Sequence, residues 1–243
     1  YWYRVYYPIP GKQAEDFVGA AGDDQAQKAM QDRIAYAAWT VAQVKNLRKL
    51  NYQVADKGVA SVLVELHNRK LFEAGLVVVG TLAYMCWLNE YGAMATKLPG
   101  REGLRVDLLA PGAMLGDTIQ VPELEWHAQA IPHYGYMLDD SQKGAMLAGG
   151  HCIPIMLPRM ERMIWHKLYA STQRTGAPDK AEKDIVQAVT LAAVLVDQDG
   201  ASLTDSFRDA PTALRSAALS RLSRITPLLG AHPETLDAFR SLY

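Results

Sequence analysis

The sequence predicts an α+β chain, and three observations carry that expectation. Short apolar runs rich in β-branched residues, such as Val77-Val78-Val79 and Cys152-Ile-Pro-Ile-Met-Leu157, sit beside glycine turns and read as strands. Several longer segments space their apolar residues by three and four, as amphipathic helices do. Strand-like and helical segments are mixed up to Pro158, and after it every periodic segment is helical. At 243 residues, 49% hydrophobic and 21% charged, the chain is long enough for one large core and has ordinary globular composition. A net charge of −1 gives no global attraction to nucleic acid, so any such contact must come from a local patch. Cys86 and Cys152 match no metal spacing and are expected as buried thiols of a cytoplasmic protein. No apolar run reaches the ~18 residues of a membrane span, and no basic-then-apolar leader is visible at the start.

The chain divides on composition into a hairpin arm (1–22), a long helix and linker (23–56), a core (57–158) and a C-terminal helical region (159–243). In Tyr1-Trp-Tyr-Arg-Val-Tyr-Tyr7, Pro8-Ile-Pro-Gly11 and Gln13 to Val18, strand-favouring aromatics flank a turn and predict a β-hairpin. Arg4 and Lys12 could meet phosphates there while rings stack on bases, or the hairpin could simply cap the fold, as Glu15 and Asp16 suggest. Asp23 or Asp24 then caps a helix to about Leu50, with Met30, Ile34, Ala37, Val41 and Val44 as its core-facing stripe. Asp56 caps a second helix, Val59 to about Phe72. After the Val77 strand, Gly80-Thr81 turns into a helix that ends near Gly92. Leu104 to Ala110 reads as a strand on which Asp107 is the one polar exception among apolar neighbours, apart from Arg105. Asp107 either pairs with Arg105 or does chemistry as a metal ligand or general base.

Pro111 to Gln142 reads as a connection. Its Trp126-His127 and His133-Tyr134 pairs lack acidic or cysteine partners at ligand spacing, so no metal site is expected there. Two strands follow around Gly149-Gly150-His151. Pro158 opens a helix to about Thr172 that turns Met160, Met163, Ile164 and Leu168 inward and carries Arg159, Arg162, His166 and Lys167 as its basic residues. Helices over 179–196, 203–209 and 211–229 and a tail helix from Pro233 complete the chain.

The strand–Gly80-Thr81–helix unit, the Leu104-Arg-Val-Asp107-Leu-Leu-Ala110 strand, and the segments Trp165-His-Lys167-Leu-Tyr and Lys180-Ala-Glu-Lys-Asp184-Ile-Val-Gln-Ala together resemble nucleotidyltransferases of the DNA polymerase β superfamily, in an uncharacterised bacterial branch. The resemblance runs through nearly the whole chain. It implies a polymerase-β-like core, a small mixed sheet with helices, and a Mg²⁺-dependent enzyme that moves a nucleoside monophosphate from an NTP to a hydroxyl on an RNA end, a protein or a small molecule. It further implies that Gly80 and Thr81 hold phosphates, Asp107 holds a metal, and Lys167 and Arg174 contact the triphosphate. For those two, a solvated ion-paired helix pair is the alternative.

One part of the pattern is missing. The superfamily holds two metals with an acidic pair spaced by one residue on a strand, plus a third carboxylate. Between Gly80 and Asp107 only Glu90 and Glu102 are acidic, and neither belongs to such a pair. About eleven residues separate Gly92 from Leu104, too few for a further strand with its connections. The expectation is therefore a break between Gly92 and Arg101 where a strand is left out. The alternative is a catalytically inactive protein that binds nucleic acid or a partner through the aromatic hairpin.

Overall fold

The computed structural model describes residues 1–9, 12–94, 107–121 and 126–242. The expected break between Gly92 and Arg101, the Arg105 side chain and Glu102 lie outside the described residues. Strands β1 (Trp2–Ile9) and β2 (Lys12–Gly19) pair antiparallel, with Arg4 in register with Asp16. Asp23 then caps α1 (Asp24–Lys49), its carboxylate accepting from the backbone N–H groups of Gln25 and Ala26 at 2.9 and 3.1 Å. Of the stripe expected to face a core, Val44 alone is buried; Ile34 and Val41 stay exposed and Met30 is half-covered. The periodicity is real, but the described chain folds nothing over the middle of this helix.

Asp56 caps α2 (Lys57–Asn68) through the Val59 N–H at 2.9 Å, and the helix stops short of Phe72 in a series of turns. Val77–Val79 is extended but is no strand: one backbone bond, from the Val78 N–H to the Met156 carbonyl at 2.8 Å, fixes it. Helix α3 (Gly80–Glu90) follows and buries Ala83, Tyr84, Cys86, Trp87 and Leu88.

Of the strand expected over Leu104 to Ala110, the described part is β3 (Leu109–Pro111), which leaves Asp107 ahead of it. The stretch expected as a connection holds two more strands: β5 (Trp126–Ile131) pairs parallel with β3, and β4 (Thr118–Val121) lies antiparallel on the far side of β5. The buried positions of β5 are Ala128 and Ala130, residues too small and too weakly strand-forming to announce a strand. A short helix α4 (Tyr134–Leu138) leads into the hairpin β6 (Gln142–Ala148) and β7 (His151–Leu157). Its Gly149-Gly150 turn has φ of +56° and +99°, and Gly149 donates to the Ala55 carbonyl at 3.0 Å.

The C-terminal half is helical. It comprises α5 (Met160–Gln173), α6 (Pro178–Asp209, kinked at Asp199), α7 (Thr212–Ser220), α8 (Leu222–Ile225), a 3₁₀ turn at Thr226–Leu229, and α9 (Pro233–Arg240). The core gathers where α5 and α6 pack on each other, on α3 and on the β6–β7 hairpin. Trp165 is wholly buried and meets Phe207 and Phe239 edge-on, with centroids 5.1 and 5.9 Å away. Its indole N–H donates to Ser206 Oγ at 2.8 Å, so the ring adds apolar area without an unsatisfied donor. The α+β class stands. Cys86 is buried as expected, its thiol pushed up to about 12 chiefly by burial, whereas Cys152 is exposed. Among the described residues, no helix is long and apolar enough to cross a membrane.

Candidate functional site

One cavity of about 1180 Å³ lies between α2, α3, the start of β3 and the α5–α6 pair. Its first wall is the turn into α3. The single bond from Val78 to β7 sets the chain's direction, and Gly80 at φ +70° makes the turn, a conformation other residues adopt only at a cost. Val79, the capping position of α3, offers no side-chain oxygen to the first turn. The N-terminal N–H groups of this helix, with the exposed Thr81, face the cavity as a partial positive charge.

The opposite wall is the turn between α5 and α6. Arg174 ends α5, Thr175-Gly176-Ala177 make the turn, and Pro178 starts α6 at the position where a missing N–H costs nothing. Arg174, Lys180 and Lys183 all line the cavity. Asp107 lines it from two residues before β3 and is exposed. Gly80, Thr81, Asp107 and Arg174 are thus brought together on one space, although they are far apart in sequence.

Lys167 is placed elsewhere. Its ammonium is buried behind this wall, donating to Gln187 Oε1 at 2.6 Å and to Asp184 Oδ1 at 3.4 Å. Asp184 is equally buried, and its other oxygen accepts from Arg174 Nε at 2.5 Å. The chain of contacts runs Gln187–Lys167–Asp184–Arg174, and its outer end is the guanidinium at the cavity surface. Burial pushes the Lys167 ammonium below its ordinary value, with Asp184 opposing the shift. Gln187 Nε2 is buried without a partner among the described residues.

His166 and Lys167, read from sequence as basic residues of the helix, with Lys167 expected at the triphosphate or in an ion-paired helix pair, are both interior. His166 packs edge-on to Tyr134 at 4.8 Å, and its Nε2 lies 3.3 Å from the Pro132 carbonyl. Burial lowers its imidazole to about 4, so it is neutral at physiological pH. The same burial raises the Tyr134 phenol. Both residues line the cavity as uncharged groups.

Lys180 and Lys183 were legible as the basic members of a Lys-x-x-Lys-Asp run at the start of a helix. That Asp184 would turn inward while both lysines faced a cavity was not. Arg4 and Lys12 lie apart, exposed on the hairpin with Tyr3 and Phe17 uncovered beside them, while Glu15 and Asp16 on β2 balance their charge.

The cavity thus gathers three cationic side chains and the start of α3 with one carboxylate, an arrangement whose charges favour an anion. The resemblance also implies two metals. Among the described residues no group of three His, Cys, Asp or Glu side chains converges, and Asp107 is the one carboxylate on the cavity. A single carboxylate does not hold two divalent ions about 3.5–4 Å apart, so the described residues do not fit a two-metal centre.

A family model described as Nucleotidyltransferase matches residues 89–212, just over half of the chain, and the chain belongs to that family. The match takes in Asp107, Lys167, Arg174, Lys180, Lys183 and Asp184; Gly80 and Thr81 stand just ahead of it. No curated protein and no solved structure matches.

Proposed function

We propose that the cavity takes the triphosphate of an NTP, and that the chain transfers the nucleoside monophosphate to a hydroxyl acceptor on an RNA end, a protein or a small molecule. The observation that carries this is the meeting of Arg174, Lys180 and Lys183 with the uncapped start of α3 around one space that also holds Asp107. An acceptor oxygen attacks the α-phosphorus, the bond to the bridging oxygen breaks, and pyrophosphate leaves. The cations and the α3 N–H groups neutralise the charge that gathers on the leaving group, an electrostatic role that needs no covalent help. Asp107 takes the acceptor's proton. Lys167 serves at a distance, keeping Asp184 ionised and so Arg174 in place. Mg²⁺ enters this proposal as the companion of the nucleotide's phosphates, and the core is of the polymerase-β type that the resemblance implies.

The test uses the full chain with α-labelled NTPs, Mg²⁺ and total RNA or protein as acceptor, alongside calorimetric NTP binding. Label transfer abolished by Asp107→Ala, with binding retained, is the expected result. A paired Lys180→Ala/Lys183→Ala change should weaken binding by tenfold or more, since a hydrogen bond to a charged group contributes about 1.5–3 kcal/mol. Binding that ignores both lysines sinks the phosphate site. Binding without transfer to any acceptor supports the inactive, binding-only alternative instead.

A further inference from the structure

The face that α5 turns to the cavity changes character along its length. His166, Tyr169, Ala170, Gln173 and Arg174 line the space at alternating steps of three and one, a single helical face. Arg174 ends that face at the cationic wall, and His166 stands eight residues earlier, about 12 Å back along the axis. Around His166 the lining is aromatic and uncharged. Tyr134 meets it edge-on, and the Tyr169 ring centre lies 6.0 Å from that of His166 and 5.0 Å from that of His133. His133 itself stands at φ +61° immediately before α4, a backbone cost that sets where Tyr134 begins the helix.

Two polar atoms at this end have no use inside the described chain. His166 is 5% exposed and Tyr134 7%, so both are more than nine-tenths buried. The neutral His166 ring sets Nε2 against the Pro132 carbonyl, which only accepts, so Nε2 carries the hydrogen and Nδ1 is left as a bare acceptor. Among the described residues, neither Nδ1 nor the Tyr134 hydroxyl has a hydrogen-bond partner. Neither is sealed in protein as Gln187 Nε2 is, and both residues line the cavity. Buried polar groups kept without a partner cost stability, and a ligand that completes the bonds accounts for their retention.

We propose, resting on the NTP reading of this cavity, that Tyr134 and His166 are its specificity-determining pair, the hydroxyl and Nδ1 together binding one hydrogen-bonding edge of the nucleobase. An uncharged aromatic pocket suits a heterocycle, whereas phosphates go to Arg174, Lys180 and Lys183 at the other end of the same helix face. Because Nδ1 only accepts, it demands an N–H on the ligand. The Tyr134 hydroxyl donates to the neighbouring atom of that edge, and every nucleobase sets an N–H beside an acceptor on its Watson–Crick edge. Tyr169 gives the base an aromatic neighbour. The two turns of α5 between His166 and Arg174 match the reach of a nucleotide from its base to its outer phosphates. The pair therefore makes the site select a nucleotide over a bare triphosphate.

The experiment is calorimetric binding of ATP, CTP, GTP, UTP and inorganic triphosphate to the full chain without acceptor, with urea titrations to follow folding. At least one NTP should bind tenfold or more tighter than triphosphate. Tyr134→Phe removes only an oxygen that has no partner among the described residues, so the urea midpoint should not fall. Affinity for that NTP should drop about three- to tenfold in Tyr134→Phe, the worth of one hydrogen bond, while affinity for triphosphate holds. His166→Phe should also spare triphosphate, and should erase the wild-type preference for that NTP over its analogue methylated at the Watson–Crick N–H groups. NTPs no tighter than triphosphate overturn the proposal and leave the phosphate site standing, as does a Tyr134→Phe chain that binds every NTP like wild type. A Tyr134→Phe loss that disappears with the 2′-deoxy nucleotide also overturns it and gives the hydroxyl to the ribose. If neither NTPs nor triphosphate bind, the NTP reading falls and this subsite with it.

Discussion

Replacing Asp184 with Asn tests the buried chain behind the cavity. The change keeps the side chain's size and removes the charge that faces both Lys167 and Arg174. At the 3.4 Å between Lys167 Nζ and Asp184 Oδ1, an effective dielectric of 20 gives an attraction of about 5 kcal/mol. Stripping one member from a buried pair costs about 3–5 kcal/mol in practice. Asp184→Asn should therefore lower unfolding free energy by that amount in urea titrations at pH 7. Lys167→Met should cost less, about 2 kcal/mol, because Asp184 keeps Arg174. The double variant should be more stable than Asp184→Asn alone, since no buried ammonium is left unpaired.

The sign with pH also follows. A buried ammonium without its carboxylate has a folded pKa still further below its unfolded value, so the unfolded chain binds the extra proton. The stability of Asp184→Asn should then rise with pH up to the ordinary lysine range, because the unfolded chain holds the proton that Lys167 gives up inside the fold. NTP binding should weaken in Asp184→Asn, which frees Arg174 to swing, and to a smaller degree in Lys167→Met, which leaves Asp184 to hold Arg174 without its second cation. Single costs that add within about 0.5 kcal/mol in the double variant would show that the residues do not interact, and would remove the role assigned to Lys167.

Three further outcomes are expected. His166 is held at about 4 against an ordinary 6.5, so the unfolded chain takes the proton first on acidification. Stability from this residue falls between pH 6.5 and 4 by roughly 3 kcal/mol in all, and His166→Asn should flatten that part of a stability–pH curve. Gly149→Ala puts a methyl 2.8 Å from Ala60 Cβ and 3.1 Å from Lys57 Cα, at φ +56°. It should cost about 2–3 kcal/mol, visible as a fall in urea midpoint without a change in m-value. Ser206→Ala strands the Trp165 indole N–H and should cost about 1–3 kcal/mol, measured the same way.

Elements whose signals are local were the ones legible in sequence. Asp23 and Asp56 cap the helices they precede, and Met160, Met163, Ile164 and Leu168 are all buried as their spacing requires. The Gly149-Gly150 hairpin is equally plain. Strand β5 was hidden because alanines do its packing. The uncovered stripe of α1 misled because periodicity shows that a face is apolar, not what covers it. In the site, the Gly80-Thr81 turn, Asp107 and Arg174 could be named one by one. Which cations turn outward is decided by the seat of α5 on α6: there Lys167 and Asp184 face each other, while Lys180 and Lys183 are left on the cavity. No spacing within either helix contains that information.

The parallel pairing of β3 with β5 bears on how the protein comes to have a site at all. Helices α5 and α6 are neighbours in sequence, as are β6 and β7, so these pairs close short loops and form quickly. Strand β3 must wait for β5, with β4 inserted between them in the chain, and only then is Asp107 fixed at its edge. Val77–Val79 depends in the same way on a finished β7. On loop closure alone, the wall with Arg174, Lys180 and Lys183 is expected to assemble before the edge that carries Asp107, an order that pulse-labelled hydrogen exchange during refolding would check.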